Sequence, residues 1–224
     1  MKINVKGPII SNDEQWIYDY FEVEATSPKK VSDAIENAKG GELEVDINSG
    51  GGSVFAGSEI YTALKSYAGK VTIRIVGIAA SAASVIAMAG QTVLMSPTAQ
   101  MMIHNVSTRA EGDHRDMAHQ AEVLKNANET VANAYRIKSG MEQKDLLAMM
   151  NKETWLTAQQ ALEHNLIDEV MFEPVDLVAS YNNMLPTEVI NKMITHKKAV
   201  DNDTLFLIQQ SKLKLLKMKG NQNE

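Results

Sequence analysis

Polar and apolar positions along the chain switch repeatedly between a helical and a strand period, the pattern of an α/β protein. Over residues 29–38 the apolar side chains fall at Val31, Ala34, Ile35 and Ala38, a helical spacing. Pro28, placed after Ser27, supplies the fixed φ that suits a first helical residue, and Gly40 and Gly41 end the run. Leu43, Val45 and Ile47 then alternate with Glu44 and Asp46 as a half-buried strand, stopped by Asn48, Ser49 and the glycines Gly50, Gly51 and Gly52. A second helix follows, with Val54, Ile60, Ala63 and Leu64 turned inward. Residues 71–76 predict an apolar strand that turns at Gly77 and meets Ser81, where a helix of small residues begins. Two short strands are expected over residues 92–95 and 101–104.

Residues 113–139 are helix formers without a proline and predict one long helix ending at Gly140, with a shorter helix over residues 141–150. Thr157 and Gln160 make a capping box ahead of Ala161 and Leu162, so another helix starts there, and residues 166–171 are expected as a final core strand. This α/β order implies parallel strands joined by right-handed crossovers, and no internal repeat is visible. Beyond Pro174 the pattern loosens around Asn182, Asn183 and Pro186 and ends in a Lys/Leu run over residues 211–219, which reads as a solvated helix face. The chain therefore divides into a domain over residues 1–173 and a C-terminal extension over residues 174–224, partly helical or disordered.

Composition narrows the function classes. The 224 residues can bury one sizeable core, with an ordinary 44% hydrophobic and 22% charged content. A net charge of −6 without a basic block argues against a nucleic-acid partner. No apolar h-region opens the chain, and the apolar stretch around Ser81 is broken by glycine, serine and Gln91, so neither a signal peptide nor a membrane span is expected. The absence of cysteine excludes disulfides, thiolate metal sites and a Cys nucleophile, and fits a reducing cytoplasm. His114, His119, His164 and His196 form no HxxxH or HExxH set, so no metal site is expected. Met101, Met102, Met149 and Met150 read as flexible core filling, and Trp16 and Trp155 as packed residues.

Three features at element ends can carry chemistry. Ser81, at a helix start, would have unpaired N–H groups and the positive dipole end beside it, where charge forming on an attacked carbonyl is stabilised; it can equally be a close-packing helix start. Gly50, Gly51 and Gly52 follow a strand and can turn N–H groups toward a ligand. The P-loop lysine is missing from the following Ser53, Val54 and Phe55, which favours an oxyanion hole or a tight turn over a phosphate cradle. His104 ends the apolar run Met101, Met102, Ile103, so its ring emerges at a strand tip as a general base or as a structural histidine.

Four successive segments, INSGGGSVFAGSEIY (residues 47–61), GIAASAAS (77–84), MMIHN (101–105) and ETWLTAQQALEHNLIDEV (153–170), resemble in order and spacing the motifs of the Clp protease proteolytic subunits. These are serine peptidases on a crotonase-like fold, and the resemblance covers residues 42–170. It implies an α/β fold of repeated ββα units with a long handle helix, here near residues 113–139. By the same resemblance Ser81 is the nucleophile, His104 the base and Glu153 the triad acid, with Asp168 as the alternative acid. Gly52 and Ala82 would give the N–H groups of the oxyanion hole. Substrate would lie as an extended strand between Gly51, Ser53 and Val54 on one side and Val106, Ser107 and Thr108 on the other. No cofactor is implied, and ATP enters only through an unfoldase partner.

Departures from the family pattern bear on the role. The acid is usually aspartate, the proline before the paired glycines is replaced by Gly50, and the methionine after the nucleophile is Ala82. Little sequence precedes the matched core, and a tail of about fifty residues follows it, a layout similar to phage and prophage members that cleave scaffold and capsid proteins in head maturation. The expectation is a cytoplasmic serine endopeptidase acting on unfolded or capsid and scaffold proteins, as a homo-oligomer for which the resemblance implies heptameric rings. The alternatives are a proteolytic subunit working with an ATP-driven unfoldase, a crotonase-type acyl-CoA enzyme, and a noncatalytic assembly protein.

Overall fold

The computed structural model describes residues 1–172; the extension expected over residues 174–224, with its Lys/Leu run, lies outside the described residues. The strands are β1 (Lys2–Lys6), β2 (Leu43–Ser49), β3 (Val71–Ala80), β4 (Thr92–Met95), β5 (Gln100–Ile103), β6 (Thr154–Thr157) and β7 (Glu169–Val170). The helices are α1 (Gln15–Tyr20), α2 (Pro28–Asn37), α3 (Val54–Lys65), α4 (Ala82–Ala87), α5 (His114–Ser139), α6 (Gln143–Asn151) and α7 (Ala158–Glu163). All the strands join one sheet whose parallel path runs β1-β2-β3-β4-β7. The apolar alternation explains it: Leu43, Val45 and Ile47 on β2 and Val71, Ile73 and Ile75 on β3 are all buried. Crossover helices α2 and α3 close over these strands through Val31, Ile60 and Leu64, whereas Val54 and Ala63 are only half-buried.

The longest strand, β3, positions the site. Its first half pairs with β4 over Thr72 to Ile75 and its second half pairs with β5 over Ile78 to Ala80, so one strand carries the chain from the sheet centre to Ser81. The expected turn at Gly77 is not there; β3 runs through it. Glycine is needed for space instead: a Cβ at Gly77 would lie 2.3 Å from Asn48 Oδ1, which accepts the Ile78 N–H at 3.2 Å where the β2 register shifts. The sheet is also not wholly parallel, because β6 runs antiparallel to β5, pairing Thr154 with Ile103.

Helix boundaries follow local chemistry. Asp113 caps α5 by accepting the Arg115 and Asp116 N–H groups, and Gly140 ends the helix in the left-handed region at φ 73°. The Arg115 side chain and N–H hold the Asp113 carboxyl below the usual carboxylate range. Thr157 and Gln160 form the capping box of α7. The expected strand over residues 166–171 shrinks to the two residues of β7, with Leu166 and Ile167 buried in the turn before it. Met101, Met102 and Met150 fill the core as expected. The tryptophans do not: Trp16 on α1 is 68% exposed and Trp155 on β6 is 46% exposed, since each stands on the outer face of its element.

Candidate active site

Ser81 sits between β3 and α4, one residue ahead of the helix that was expected to contain it. Its φ of 55° and ψ of −126° are unfavourable for a side-chain-bearing residue, at a cost of about 1–3 kcal/mol. Neighbours hold it there. The Ser81 N–H donates to the Met102 carbonyl at 3.0 Å, and its own carbonyl accepts the N–H groups of Ser84 at 3.0 Å and Val85 at 3.3 Å. Small residues are required because α3 lies close: a Cβ at Gly57 would come within 3.0 Å of the Ala82 Cβ.

The glycine loop after β2 presses against this turn. Gly51, at φ 96°, has so little room that a Cβ would sit 2.7 Å from both the Ala80 carbonyl oxygen and the Ser81 Cβ. Gly52, at φ 152°, passes Ile9, whose N–H donates to Gly51 at 2.9 Å and whose carbonyl accepts from Ser53 at 2.8 Å. Those bonds bracket Gly52 and leave its N–H unused. Among the described residues neither the Gly52 nor the Ala82 N–H has an acceptor.

His104 stands one residue beyond β5, half-buried, with Nε2 2.8 Å from Ser81 Oγ. For the serine hydroxyl to donate there, the imidazole proton must be on Nδ1. The segment that follows is pinned by Asn105 Nδ2 donating to Asn151 Oδ1 and by the Val106 N–H donating to Asn128 Oδ1. A cleft of about 410 Å³ opens beside the pair, lined by Gly52, Val54, Ala82, Val106 and Ser107 as the sequence suggested. Gly51 and Ser53 are not on its wall. Gly51 packs against the Ser81 turn, and Ser53 caps α3 by accepting the Ala56 N–H.

The two candidate acids separate clearly. Glu153, in a left-handed turn at φ 50°, directly precedes Thr154, whose partner Ile103 directly precedes His104, so the two residues leave neighbouring strand ends. The Glu153 carboxylate is nonetheless exposed and accepts the Trp155 indole N–H at 3.3 Å; it makes no bond to the histidine. Asp168 is not at the site. Its carboxylate takes the Lys138 ammonium and the Val93 N–H, and Val93 pairs with Ile73 on β3. From Ile73 to Ser81 the strand covers on the order of 25 Å. Asp168 thus pins β4 to α5 and cannot orient His104.

Sequence reasoning missed the contribution of α5 to the cleft. Val131, Ala134 and Tyr135 line it, and Tyr135 is buried with its hydroxyl 2.8 Å from Ser84 Oγ. Burial pushes this phenol well above the usual tyrosine range, and burial likewise raises Tyr61, which also lines the cleft. The signal in the sequence was the tyrosine among alanines, Ala132, Ala134 and Tyr135, on an otherwise polar helix. Among the described residues no group of His, Asp and Glu could hold a metal ion, and no helix is long and apolar enough to cross a membrane.

A family model described as Clp protease matches residues 31–174. An ATP-dependent Clp protease proteolytic subunit from Deinococcus radiodurans is 31% identical over 132 residues, covering 58% of this chain and 65% of the relative. A protein of the same name from Bacteroides fragilis is 32% identical over 136 residues, 60% of this chain and 66% of the relative. One from Bacteroides thetaiotaomicron is 31% identical over 136 residues, 60% of this chain and 62% of the relative. The chain spans slightly less than two thirds of the length of these curated relatives.

Proposed function

The chain belongs to the Clp protease family, and from that premise we propose that it is a serine endopeptidase in which Ser81 attacks the carbonyl of a peptide bond. The observation that carries this reading is the 2.8 Å contact between Ser81 Oγ and His104 Nε2 at a strained turn flanked by two unused N–H groups. His104 takes the serine proton as the Oγ–carbon bond forms and returns it to the leaving amine as the peptide C–N bond breaks. Water then enters, gives its proton to His104, and the ester of the acyl-enzyme is cleaved with Ser81 regaining its proton. The N–H groups of Gly52 and Ala82 take the negative charge of each tetrahedral intermediate, at about 3 kcal/mol per donor. Glu153 completes the triad after its side chain leaves Trp155 and turns to His104 Nδ1; its place next to Thr154, the partner of Ile103, supports this assignment. No cofactor takes part.

The proposal extends to role and assembly. We read the chain as a cytoplasmic homo-oligomer, with heptameric rings, that processes scaffold and capsid proteins of a phage or prophage; Glu153 at the acid position and the long C-terminal extension support that reading. Degradation with an ATP-driven unfoldase is the competing role, and casein cleavage that requires ATP and an unfoldase would establish it. The enzymatic core of the proposal is tested by acylating the assembled protein with a fluorophosphonate. Label on Ser81 and none on Ser81→Ala is the expected result. No label on a folded, assembled sample, or equal casein cleavage by wild type and Ser81→Ala, overturns it.

A further inference from the structure

Hydrolysis as described leaves unused a hydrogen-bond chain that runs from α5 to the nucleophile. The Tyr135 hydroxyl lies 2.8 Å from Ser84 Oγ, and Ser84 Oγ lies 2.7 Å from the Ser81 carbonyl oxygen. A carbonyl can only accept, so the Ser84 hydroxyl donates to Ser81, and the phenol must then donate to Ser84 Oγ. Both side chains are buried, Tyr135 at 1% and Ser84 at 0% exposure, so water does not compete for these protons. With the N–H groups of Ser84 and Val85, three donors converge on one carbonyl oxygen, at the residue held at φ 55°.

The direction of that carbonyl matters because of what shares its plane. In a trans peptide the C=O of one residue and the N–H of the next point to opposite sides. Fixing the Ser81 carbonyl therefore fixes where the Ala82 N–H points. All three donors are carried by α4, and only the Ser84 hydroxyl has a further partner outside that helix. The hydroxyl of Ser84 is held from α5 by Tyr135, which ties the plane to an element outside the nucleophile helix.

We infer that Tyr135 and Ser84 are positioning residues for peptide hydrolysis, holding the Ser81–Ala82 peptide plane so that the Ala82 N–H faces the oxygen that becomes negative. The inference rests on the peptidase reading above. Neither hydroxyl exchanges a proton with the substrate; the effect is on the donor's aim, and so on kcat rather than KM.

The test uses Tyr135→Phe, Ser84→Ala and the double variant of the full chain, measuring melting temperature, Ser81 acylation by a fluorophosphonate, and kcat and KM on a fluorogenic peptide. Tyr135→Phe removes one oxygen and keeps the ring. Each single variant is expected to slow acylation and kcat about five- to tenfold with KM unchanged. Ser84→Ala also strands a buried phenol and melts lower than wild type; adding Tyr135→Phe removes that group and restores the melting temperature, while the rate stays slow. A rate that recovers together with the melting temperature shows packing only and overturns the inference. So do single variants within twofold of the wild-type rate. Wild-type protein that is never acylated at Ser81 overturns the peptidase reading and this inference together, whereas acylated wild type with unchanged variants overturns this inference alone.

Discussion

Substituting adjacent glycines in the loop after β2 should have opposite consequences. At Gly51 an added Cβ would stand 2.7 Å from the Ala80 carbonyl oxygen, 2.7 Å from the Ser81 Cβ and 3.0 Å from the Ala82 N, with φ at 96°. Carbon atoms in contact prefer about 3.5–4.0 Å, so the nucleophile turn must retreat by roughly 1 Å. Displacement on that scale costs about a hundredfold in rate, or about 2.7 kcal/mol of transition-state stabilisation. The left-handed φ adds about 1–2 kcal/mol to the loss of folding stability in Gly51→Ala. Gly50 meets nothing within 4 Å and its φ is not positive, so Gly50→Ala should be neutral or stabilise by about 0.4–1 kcal/mol through the unfolded chain. Acylation rates and thermal melts of both variants decide the matter. A Gly51→Ala rate within threefold of wild type, or equal damage from Gly50→Ala, would refute the claim that this loop locates the nucleophile by contact.

Three further outcomes are expected. Glu153→Gln should lower kcat on a peptide substrate about tenfold or more with little change in melting temperature, whereas Asp168→Asn should leave kcat alone and lower the melting temperature by about 2–4 °C, its partly exposed carboxylate being tied to Lys138; the reverse pattern would exchange their roles. Because burial raises the Tyr135 phenol, the folded protein keeps a proton that the unfolded chain releases above about pH 10. Stability therefore falls as pH rises through the alkaline range, and alkaline denaturation of Tyr135→Phe should show a shallower slope than wild type. The Asp113 carboxyl runs the other way: Arg115 lowers its titration, so its cap on α5 is fully present above the ordinary Asp range and fades as pH falls through the depressed value, a dependence that melts of Asp113→Ala should lack.

The residues that declared themselves in the sequence are those whose role depends on local spacing. The period of Val31 to Ala38, the alternation of Leu43 to Ile47, the Thr157 capping box and the boundaries of α5 all appear where one period or one cap predicts them. Ser81, the glycine loop and His104 were legible as element ends and Ala82 only through the family resemblance, and the fold brings the four together. The misses share a different cause. Gly77 looked like a turn because its purpose, room for Asn48, belongs to a neighbouring strand. β6 went unread because four residues paired to β5 carry too weak an alternation, and its antiparallel direction is set by where α6 releases the chain. Tyr135 could not be assigned from its helix alone, since what it touches is α4, fifty-one residues away in sequence at Ser84. Asp168 competed with Glu153 as an acid until Lys138 and Val93 claimed its carboxylate.

The positive φ of Ser81 also bears on how such a chain can change over generations. Glycine occupies that backbone conformation without penalty, so replacing Ser81 by glycine would relieve conformational strain while removing its hydroxyl. On the proposed mechanism, stability and peptide cleavage are thus opposed at one codon. A lineage released from the need to cleave would be drawn toward a firmer, silent version of the same fold.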